Sequence, residues 1–218
     1  MQRCTLYQYW RSSASWRVRW ALSIKGVTFE SIPVNLLAGE QSSAEHHARS
    51  PIGRVPTLVL EDGRSLGESV AIFEWLEETI PSPALYPKDP WQRARTRQLV
   101  EIINAAVQPL QNISVLRKLS PDSAAQRAWA AHFNELGLAA YEALLAQIAL
   151  EGGGNGPFSI GDALSAADVF LAPQLYAARR FQVDVSRFPR VLAAEQAALA
   201  TPHAEGARPE NQPGATPT

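Results

Sequence analysis

Three serines and an arginine lie where a predicted strand meets a predicted helix, in the segment YWRSSASWRVRWAL at residues 9–22. Backbone N–H groups point outward at a helix N-terminus and the helix dipole is positive there, so this place favours an anion or a thiolate. A serine hydroxyl there can donate a hydrogen bond to a thiolate sulfur and lower the pKa of the thiol. The segment contains no thiol, so the nucleophile would come from a second molecule. The same residues also fit an ordinary serine-capped helix, and the segment alone leaves both interpretations open.

The rest of the composition excludes several other kinds of site. A single cysteine, Cys4, rules out an internal disulfide and a metal site of several thiolates. The histidines have no partners at metal-ligand spacing, so we expect no metal ion. They are His46, His47, His132 and His203. Twenty Lys and Arg residues against 21 Asp and Glu residues give a net charge of -1, which provides no electrostatic case for a nucleic acid or a membrane as partner.

The overall composition is that of a globular chain, with 46% hydrophobic and 19% charged residues in 218. No run approaches the roughly 18 uninterrupted apolar residues of a membrane span. The first residues lack the apolar core of a signal peptide. We therefore expect a cytoplasmic protein of one or two domains.

Strand and helix patterns alternate in the first part of the chain. A strand at CTLYQY precedes a helix that one of the three serines caps and that Gly26 ends. A second strand at VTFESIPV follows, placed at a sheet edge by its proline. TLVLEDGRSL predicts a hairpin around Asp62 and Gly63, after which Ser69 caps a helix. This order, βαβ and then ββα, predicts an α/β domain at residues 1–81.

The second part of the chain has the apolar period of helices. Four prolines in PSPALYPKDP predict a linker at residues 82–90. An all-helical domain is predicted at residues 91–201, and its first long helix should be kinked at Pro109. From residue 202 to residue 218 the chain is polar and rich in proline, so we expect an extended tail on the surface.

A further helix start is predicted where Ser165 precedes Asp168 by three residues. The serine caps a backbone N–H, and the aspartate reaches back and suits the helix dipole. The segment FPRVLAAEQAALA predicts the last helix of this domain.

Taken together, the motifs resemble those of a known family. The chain resembles the zeta class of glutathione transferases and, within it, the maleylacetoacetate isomerases. The matching stretches follow the family's order over nearly the whole length and are RSSASWRVRWAL, PIGRVPTL, GESVAIFEWLEE, QPLQNISVL, GDALSAADVFLAPQ, ARRFQVD and PENQP.

The resemblance implies a glutathione transferase fold, with a thioredoxin-like first domain, a cis bond between Val55 and Pro56, and an all-α second domain. It also implies glutathione as a recycled co-substrate and a homodimer. The residues implied to bind glutathione are Ser12, Ser13, Gln41, Val55, Glu68, Ser69, Gln108 and Asn112.

Catalysis is implied for four residues. The hydroxyl of Ser12, with Ser13 beside it, would face the glutathione sulfur. Arg11 and Arg180 would bind the carboxylates of a dianionic substrate, since a guanidinium fork matches that geometry better than an ammonium does. Arg11 adjoins the serines and Arg180 belongs to the helical domain, and we expect a cleft between the domains to bring them to one ligand. The neighbouring Arg179 is the better candidate for a structural ion pair.

Three positions depart from the family's pattern. Ala14 stands where the family usually has a cysteine, which bears on catalysis if that thiol assists it. Glu68 replaces the usual glutamine, and its carboxylate can accept from the ammonium of glutathione but cannot donate to the carboxylate. Gly214 stands where aspartate is common.

The resemblance leads to one main function and three alternatives. The main one is the glutathione-dependent isomerisation of maleylacetoacetate to fumarylacetoacetate. A close variant acts on maleylpyruvate, but such isomerases carry an extra arginine where this chain has Ile113 and Ser114. The other two are a transferase or dehalogenase acting on small α-halo acids, and a non-catalytic glutathione-binding protein, which Ala14 keeps open.

Overall fold

The computed structural model describes residues 3–153 and 156–216. The chain divides into two compact units. One runs up to Pro83 and also contains the C-terminal segment from Pro202, and the other is Ala84–Thr201. Residues 217 and 218 of the predicted tail lie outside the described residues.

The first unit contains the predicted α/β order. Its elements are β1 (Cys4–Gln8), α1 (Ser13–Ile24), β2 (Phe29–Pro33), α2 (Ala44–Arg49), β3 (Thr57–Leu60), β4 (Ser65–Gly67) and α3 (Ser69–Thr79). Local chemistry explains several of their ends. Ser12 caps α1 by accepting a hydrogen bond from the backbone N–H of Ser15, at 3.2 Å. Gly26 follows the end of that helix with a φ of +65°, a conformation that glycine adopts without strain.

One mixed sheet with the strand order β2-β1-β3-β4 forms the centre of this unit. β1 pairs in parallel with β2 and antiparallel with β3, and β3 pairs antiparallel with β4 across the predicted hairpin. β2 is an edge strand that ends at Pro33, as its proline predicts. Leu6 and Leu58, on neighbouring strands, are fully buried, as are Ile72 and Phe73 of α3.

The second unit is helical, as predicted. It contains α4 (Pro90–Glu101), α5 (Ile113–Leu119), α6 (Ser123–Leu150), α7 (Ala166–Arg180) and α8 (Pro189–Leu199). α7 is the central helix, because most of its residues are buried. The helix start predicted at Ser165 and Asp168 is confirmed: the carboxylate of Asp168 accepts from the backbone N–H of Ser165 at 2.9 Å. Within the described ranges, no helix has both the length and the apolarity needed to cross a membrane.

The long helix expected to kink at Pro109 is a different structure. α4 ends at Glu101, a π-helical stretch runs from Ile102 to Val107, and a 3₁₀ turn covers Gln108–Gln111 before α5 begins. Proline has no N–H to donate, and its ring collides with the carbonyl four residues earlier. The disturbance therefore falls in the turn before Pro109, and the expected single kinked helix is wrong.

The C-terminal segment is not the expected extended tail. It forms α9 (Ala204–Ala207) and a 3₁₀ turn at Pro209–Asn211. Ala204 and Ala207 are buried, and α9 packs against α1. Composition alone suggested an exposed tail, but two small apolar residues one helical turn apart give the segment a face that it can bury.

Candidate functional site

The register of the sheet brings most of the proposed site residues of the first unit to one end of it. Tyr7, near the end of β1, lies opposite Thr57, the first residue of β3. Thr57 in turn lies opposite Gly67, the last residue of β4. The segments that follow β1, precede β3 and follow β4 therefore start from neighbouring points, and they carry Ser12, Val55, Glu68 and Ser69.

The first of these segments places Ser12 at the N-terminus of α1. Its Oγ accepts from the N–H of Ser15, which leaves the hydroxyl proton free to be donated to a ligand. Ser13 is the first residue of the helix and is buried. Because the first N–H groups of a helix have no partners within it, this end of α1 can stabilise an anion beside the Ser12 hydroxyl.

The second segment leaves the backbone of Val55 unpaired. The bond between Val55 and Pro56 is cis, as the resemblance implies. Among the described residues, neither the N–H nor the C=O of Val55 takes part in a backbone hydrogen bond. Val55 precedes β3, so it can pair with an extended peptide as the free edge of a strand does.

The third segment starts α3. Ser69 was expected to cap this helix, but the N-cap is Glu68 and Ser69 is the first helical residue. Glu68 has a φ of +60° and a ψ of 116°, an uncommon conformation for a residue other than glycine. Its side chain makes no capping hydrogen bond and is exposed, whereas Ser69 is buried. This conformation turns the chain sharply from β4 into α3, and the first N–H groups of α3 remain available to an anion.

Two further residues of the first unit belong to the proposed set. Gln41 lies in a 3₁₀ turn, and its buried amide oxygen has no hydrogen-bond partner among the described residues. A buried carbonyl oxygen of this kind is complete only when a donor reaches it. Arg11 stacks its guanidinium on Trp10, with its central carbon 5.2 Å from the ring centroid.

A cavity of about 310 Å³ lies at the same end of the first unit. It is lined by residues that follow β1 and β2 and by the C-terminal segment, including Tyr9, Trp10, Val34, Leu37, Gly214 and Thr216. No sequence pattern indicates this cavity, because its walls come from three segments that are far apart in the chain.

In the second unit, Gln108 and Asn112 are neighbours. Both belong to the stretch around the 3₁₀ turn, and Nε2 of Gln108 donates to Oδ1 of Asn112 at 2.8 Å. Gln108 thus keeps its carbonyl oxygen for a ligand, and Asn112 keeps its amide donors.

Three buried or half-buried side-chain amides, none of them among the predicted site residues, hold this stretch in place. Oε1 of Gln111 accepts from Nδ2 of Asn134 at 2.9 Å and from Nε2 of Gln174 at 3.0 Å. Nε2 of Gln174 also donates to Oδ1 of Asn134 at 2.6 Å, so the three amides form a closed ring. The ring ties the 3₁₀ turn to α6 and α7. No pattern within one segment could have predicted it, since its members are 23 to 63 residues apart.

The two adjacent arginines of α7 have different surroundings. Arg179 forms two parallel hydrogen bonds of 2.5 Å with the carboxylate of Glu195. This confirms the structural ion pair expected for it. Arg180, the last residue of α7, lies over Phe181, with its guanidinium carbon 5.7 Å from the ring centroid. It is exposed.

The chain is similar to known proteins of one family. The model of the family "Glutathione S-transferase, N-terminal domain" matches residues 2–78. The maleylacetoacetate isomerase of Rattus norvegicus is 42% identical over 210 residues, which cover 95% of this chain and 93% of that protein.

Two solved structures are similar over almost the whole chain. One is a holo structure of maleyl pyruvate isomerase, described as a bacterial glutathione S-transferase in the zeta class, with 38% identity, a TM-score of 0.92, and coverage of 97% of this chain and 100% of the other. The second is a maleylacetoacetate isomerase from Anaeromyxobacter dehalogenans with dicarboxyethyl glutathione and citrate bound in its active site. It is 44% identical to this chain with a TM-score of 0.87, and the match covers 99% of this chain and 95% of the other.

These similarities extend over both units, and the mixed sheet followed by helices is the thioredoxin-like and all-α arrangement that the motifs implied. The chain belongs to the zeta class of glutathione transferases, the family that includes the maleylacetoacetate isomerases.

Proposed function

We propose that this protein is a glutathione-dependent isomerase that converts maleylacetoacetate to fumarylacetoacetate. One observation carries the proposal. The Ser12 hydroxyl, the unpaired backbone of Val55 and the N-termini of α1 and α3 belong to segments that begin or end at the same end of the sheet. No thiol of the chain lies there. The single cysteine, Cys4, is buried at the start of β1, the opposite end of that strand. The site is therefore suited to a thiol that arrives on a peptide.

Glutathione fits the groups that the first unit offers. Its thiolate would lie at the N-terminus of α1 beside the hydroxyls of Ser12 and Ser13. Its cysteinyl part would pair with the backbone of Val55, and Gln41 would supply an acceptor to it. Its γ-glutamyl end would lie at the start of α3, where the carboxylate of Glu68 accepts from the ammonium.

We place four more residues in this function. Gln108 and Asn112 contribute amide groups to glutathione. Arg11 and Arg180 bind the carboxylates of the substrate, because a guanidinium makes two parallel bonds with a carboxylate. Arg179 has no part in it, since its guanidinium is taken by Glu195.

The isomerisation requires a nucleophile that adds to the substrate and is released unchanged at the end of the reaction. Bound glutathione supplies a thiolate that adds to the cis double bond, which becomes single and rotates before the thiolate leaves and a trans double bond forms. The Ser12 hydroxyl stabilises the thiolate before and after this step by donating a hydrogen bond to sulfur. The arginines hold both carboxylates and stabilise the negative charge that develops on the conjugated carbonyl oxygen.

Product analysis tests the proposal. Purified protein is incubated with maleylacetoacetate and a substoichiometric amount of glutathione. We expect many turnovers to fumarylacetoacetate with all of the glutathione recovered as free thiol. A stoichiometric loss of thiol, with glutathione on the product, would instead show the alternative transferase activity. The same assay with maleylpyruvate and with a small α-halo acid tests the two alternative substrates.

The role of Arg180 has its own test. Arg180→Met keeps an apolar stem similar to that of arginine and removes the charge. We expect kcat/KM for the diacid to fall about ten- to a hundredfold, because a charge-assisted hydrogen bond is lost, while the affinity for glutathione stays the same. An equal loss of glutathione binding would mean that Arg180 supports the fold. Arg179→Met is the control, since it removes an ion pair with Glu195 and should lower stability more than substrate binding.

We also propose a cytoplasmic homodimer. The support for the dimer is the resemblance to the family alone. The cytoplasm is supported by the single cysteine, since one cysteine cannot form an internal disulfide. Light scattering should give a mass near twice 23.8 kDa, and a mass of one chain at all concentrations would contradict the dimer.

A further inference from the structure

The hydroxyl of Ser69 accepts a hydrogen bond from a buried arginine on the neighbouring helix. Nη1 of Arg17, in the second turn of α1, lies 3.3 Å from Oγ of Ser69, the first residue of α3. Arg17 is fully buried and Ser69 is 4% exposed. The helices α1 and α3 pack against each other, so the contact joins the two elements whose N-termini form the proposed glutathione site.

The direction of this hydrogen bond follows from the chemistry of the two groups. A guanidinium has five N–H donors and no acceptor, so the oxygen of Ser69 must be the acceptor. The hydroxyl of Ser69 carries one proton, which is then directed away from Arg17. Among the described residues, no side chain or backbone group accepts this proton. A buried hydroxyl that already accepts a hydrogen bond, and whose own proton has no acceptor, is suited to donate that proton to a ligand.

We propose that Arg17 is a positioning residue for the glutathione site. By occupying the oxygen of Ser69, it keeps the Ser69 hydroxyl as a donor to the carboxylate of the γ-glutamyl end. The inference rests on the proposed function, in which Ser69 contacts that end of glutathione. Without Arg17 the hydroxyl is free to rotate and to donate to a nearby backbone carbonyl, as serine hydroxyls in helices do, and the carboxylate then loses a hydrogen bond.

The charge of Arg17 adds to the effect. A hydrogen bond from an ionised donor polarises the hydroxyl that accepts it, and the polarised hydroxyl is a stronger donor in turn. In this proposal the effect reaches the ligand through Ser69. Glutathione affinity should therefore depend on Arg17 when Ser69 carries its hydroxyl, and should not depend on Arg17 when that hydroxyl is absent.

A double-mutant cycle tests this dependence. KM for glutathione and kcat are measured for wild type, Arg17→Gln, Ser69→Ala and the double variant. We expect Arg17→Gln to raise KM for glutathione about three- to thirtyfold with little change in kcat, and to have almost no effect on KM in the Ser69→Ala background. Equal factors in the two backgrounds would overturn the proposal, because Arg17 would then act on the fold and not through Ser69.

A glutathione analogue gives a second readout. In it, γ-aminobutyrate replaces the γ-glutamyl residue, so the carboxylate next to the amino group is missing. Wild type should bind this analogue more weakly than glutathione, and Arg17→Gln should leave its KM unchanged. If Ser69→Ala changes KM for neither compound, Ser69 does not contact the carboxylate; the placement of glutathione and the role of Arg17 then both fail. If Ser69→Ala raises KM for glutathione alone but the cycle is additive, only the role of Arg17 fails.

Two controls separate positioning from stability. Arg19 is also a buried arginine of α1, but its guanidinium contacts Gln8 and the carbonyls of Trp10 and Ala207 and not Ser69. Arg19→Gln should lower the melting temperature, and its effect on KM should be the same with and without the Ser69 hydroxyl. If Arg17→Gln does not fold, Arg17→Lys keeps the buried cation, and its cycle with Ser69→Ala provides the same comparison.

Discussion

At the scale of single residues, Ser12 combines a structural and a chemical role in one hydroxyl. Its oxygen accepts from the N–H of Ser15 and so begins α1, while its proton is left for the sulfur of glutathione. Ser12→Ala removes both. We expect the pKa of the bound glutathione thiol to rise by about one to two units, because a hydrogen bond to an anion contributes roughly 1.5–3 kcal/mol. Titrating the thiolate absorbance of the complex measures this shift.

Ser43 provides a matched control for that experiment. It caps α2 in the same way, with its Oγ accepting from the N–H of His46 at 3.1 Å. Ser43→Ala should cost a similar amount of stability, about 1 kcal/mol, without changing the pKa of bound glutathione. Identical titrations of wild type and Ser12→Ala would show that another group activates the thiol.

At the scale of elements, Gly137 determines how closely α6 approaches the π-helical stretch. A Cβ at this position would lie 2.1 Å from Cγ2 of Val107, which is fully buried. In an exposed helix, replacing glycine with alanine stabilises by roughly 1 kcal/mol. Here we expect the opposite sign, with Gly137→Ala lowering the free energy of unfolding by about 1–3 kcal/mol, since a β-branched valine cannot easily turn away.

The second variant that tests this contact is Val107→Ala. Added to Gly137→Ala, it should restore part of the lost stability, although alone it destabilises by leaving a cavity. Denaturant unfolding of the four proteins measures the coupling. Strictly additive losses would mean that Val107 is not what excludes a side chain from position 137. Because Val107 adjoins Gln108, the Gly137→Ala protein should also have a higher KM for glutathione.

The elements also show which features a sequence predicts. Ser12, Gly26 and the pair Asp62–Gly63 act within a few residues of themselves, so the helix start, the helix end and the hairpin were predicted correctly. The π-helical stretch was not predicted, because Pro109 disturbs the helical turn that precedes the proline. The close approach of Val107 to Gly137 of α6 also lies in this stretch, and the two residues are far apart in the sequence. The ring formed by Gln111, Asn134 and Gln174 depends on three segments meeting, which no local pattern contains.

The same limit applies to the site. The serine-rich segment indicated an anion site at the start of α1. The roles of Val55 and Ser69, and those of the residues in the second unit, came from the resemblance and are proposals. The cis bond before Pro56 is confirmed. Arg17 was missed because a charged residue inside an apolar helix pattern gives no sign of being buried beside Ser69, and only the packing of α1 on α3 reveals it.

At the scale of the whole molecule, the first unit is built from both ends of the chain. The segment from Pro202 returns to it after the helical unit, and Arg19 joins the two parts. Nε and Nη2 of Arg19 donate to the carbonyl of Ala207 at 3.2 and 3.0 Å, and Nη2 also donates to the carbonyl of Trp10 at 3.2 Å. Burial lowers the pKa of Arg19 to about 9, opposed by the nearby Glu210, so at neutral pH the guanidinium keeps its charge.

A buried charge of this kind makes the C-terminal segment part of the fold. A chain ending at Thr201 loses the Ala207 carbonyl and the apolar cover of α9, and leaves the Arg19 guanidinium without its main acceptor. We expect it to be less stable by about 2–4 kcal/mol and its melting temperature to fall by about 4–16 °C. A chain ending at Gln212 keeps α9 and the following turn and should melt close to the full chain.

Arg19→Met identifies the cause of that loss. In the full chain this substitution removes four hydrogen bonds, three to the carbonyls of Ala207 and Trp10 and one to Oε1 of Gln8, so it should destabilise strongly. In the chain ending at Thr201 the guanidinium has lost the Ala207 carbonyl and keeps only Gln8 and the carbonyl of Trp10 as acceptors, so the substitution should cost much less. Calorimetry of the four proteins gives the comparison. If Arg19→Met costs the same in both chains, the C-terminal segment stabilises the first unit through apolar burial alone, and the guanidinium does not join the two ends of the chain.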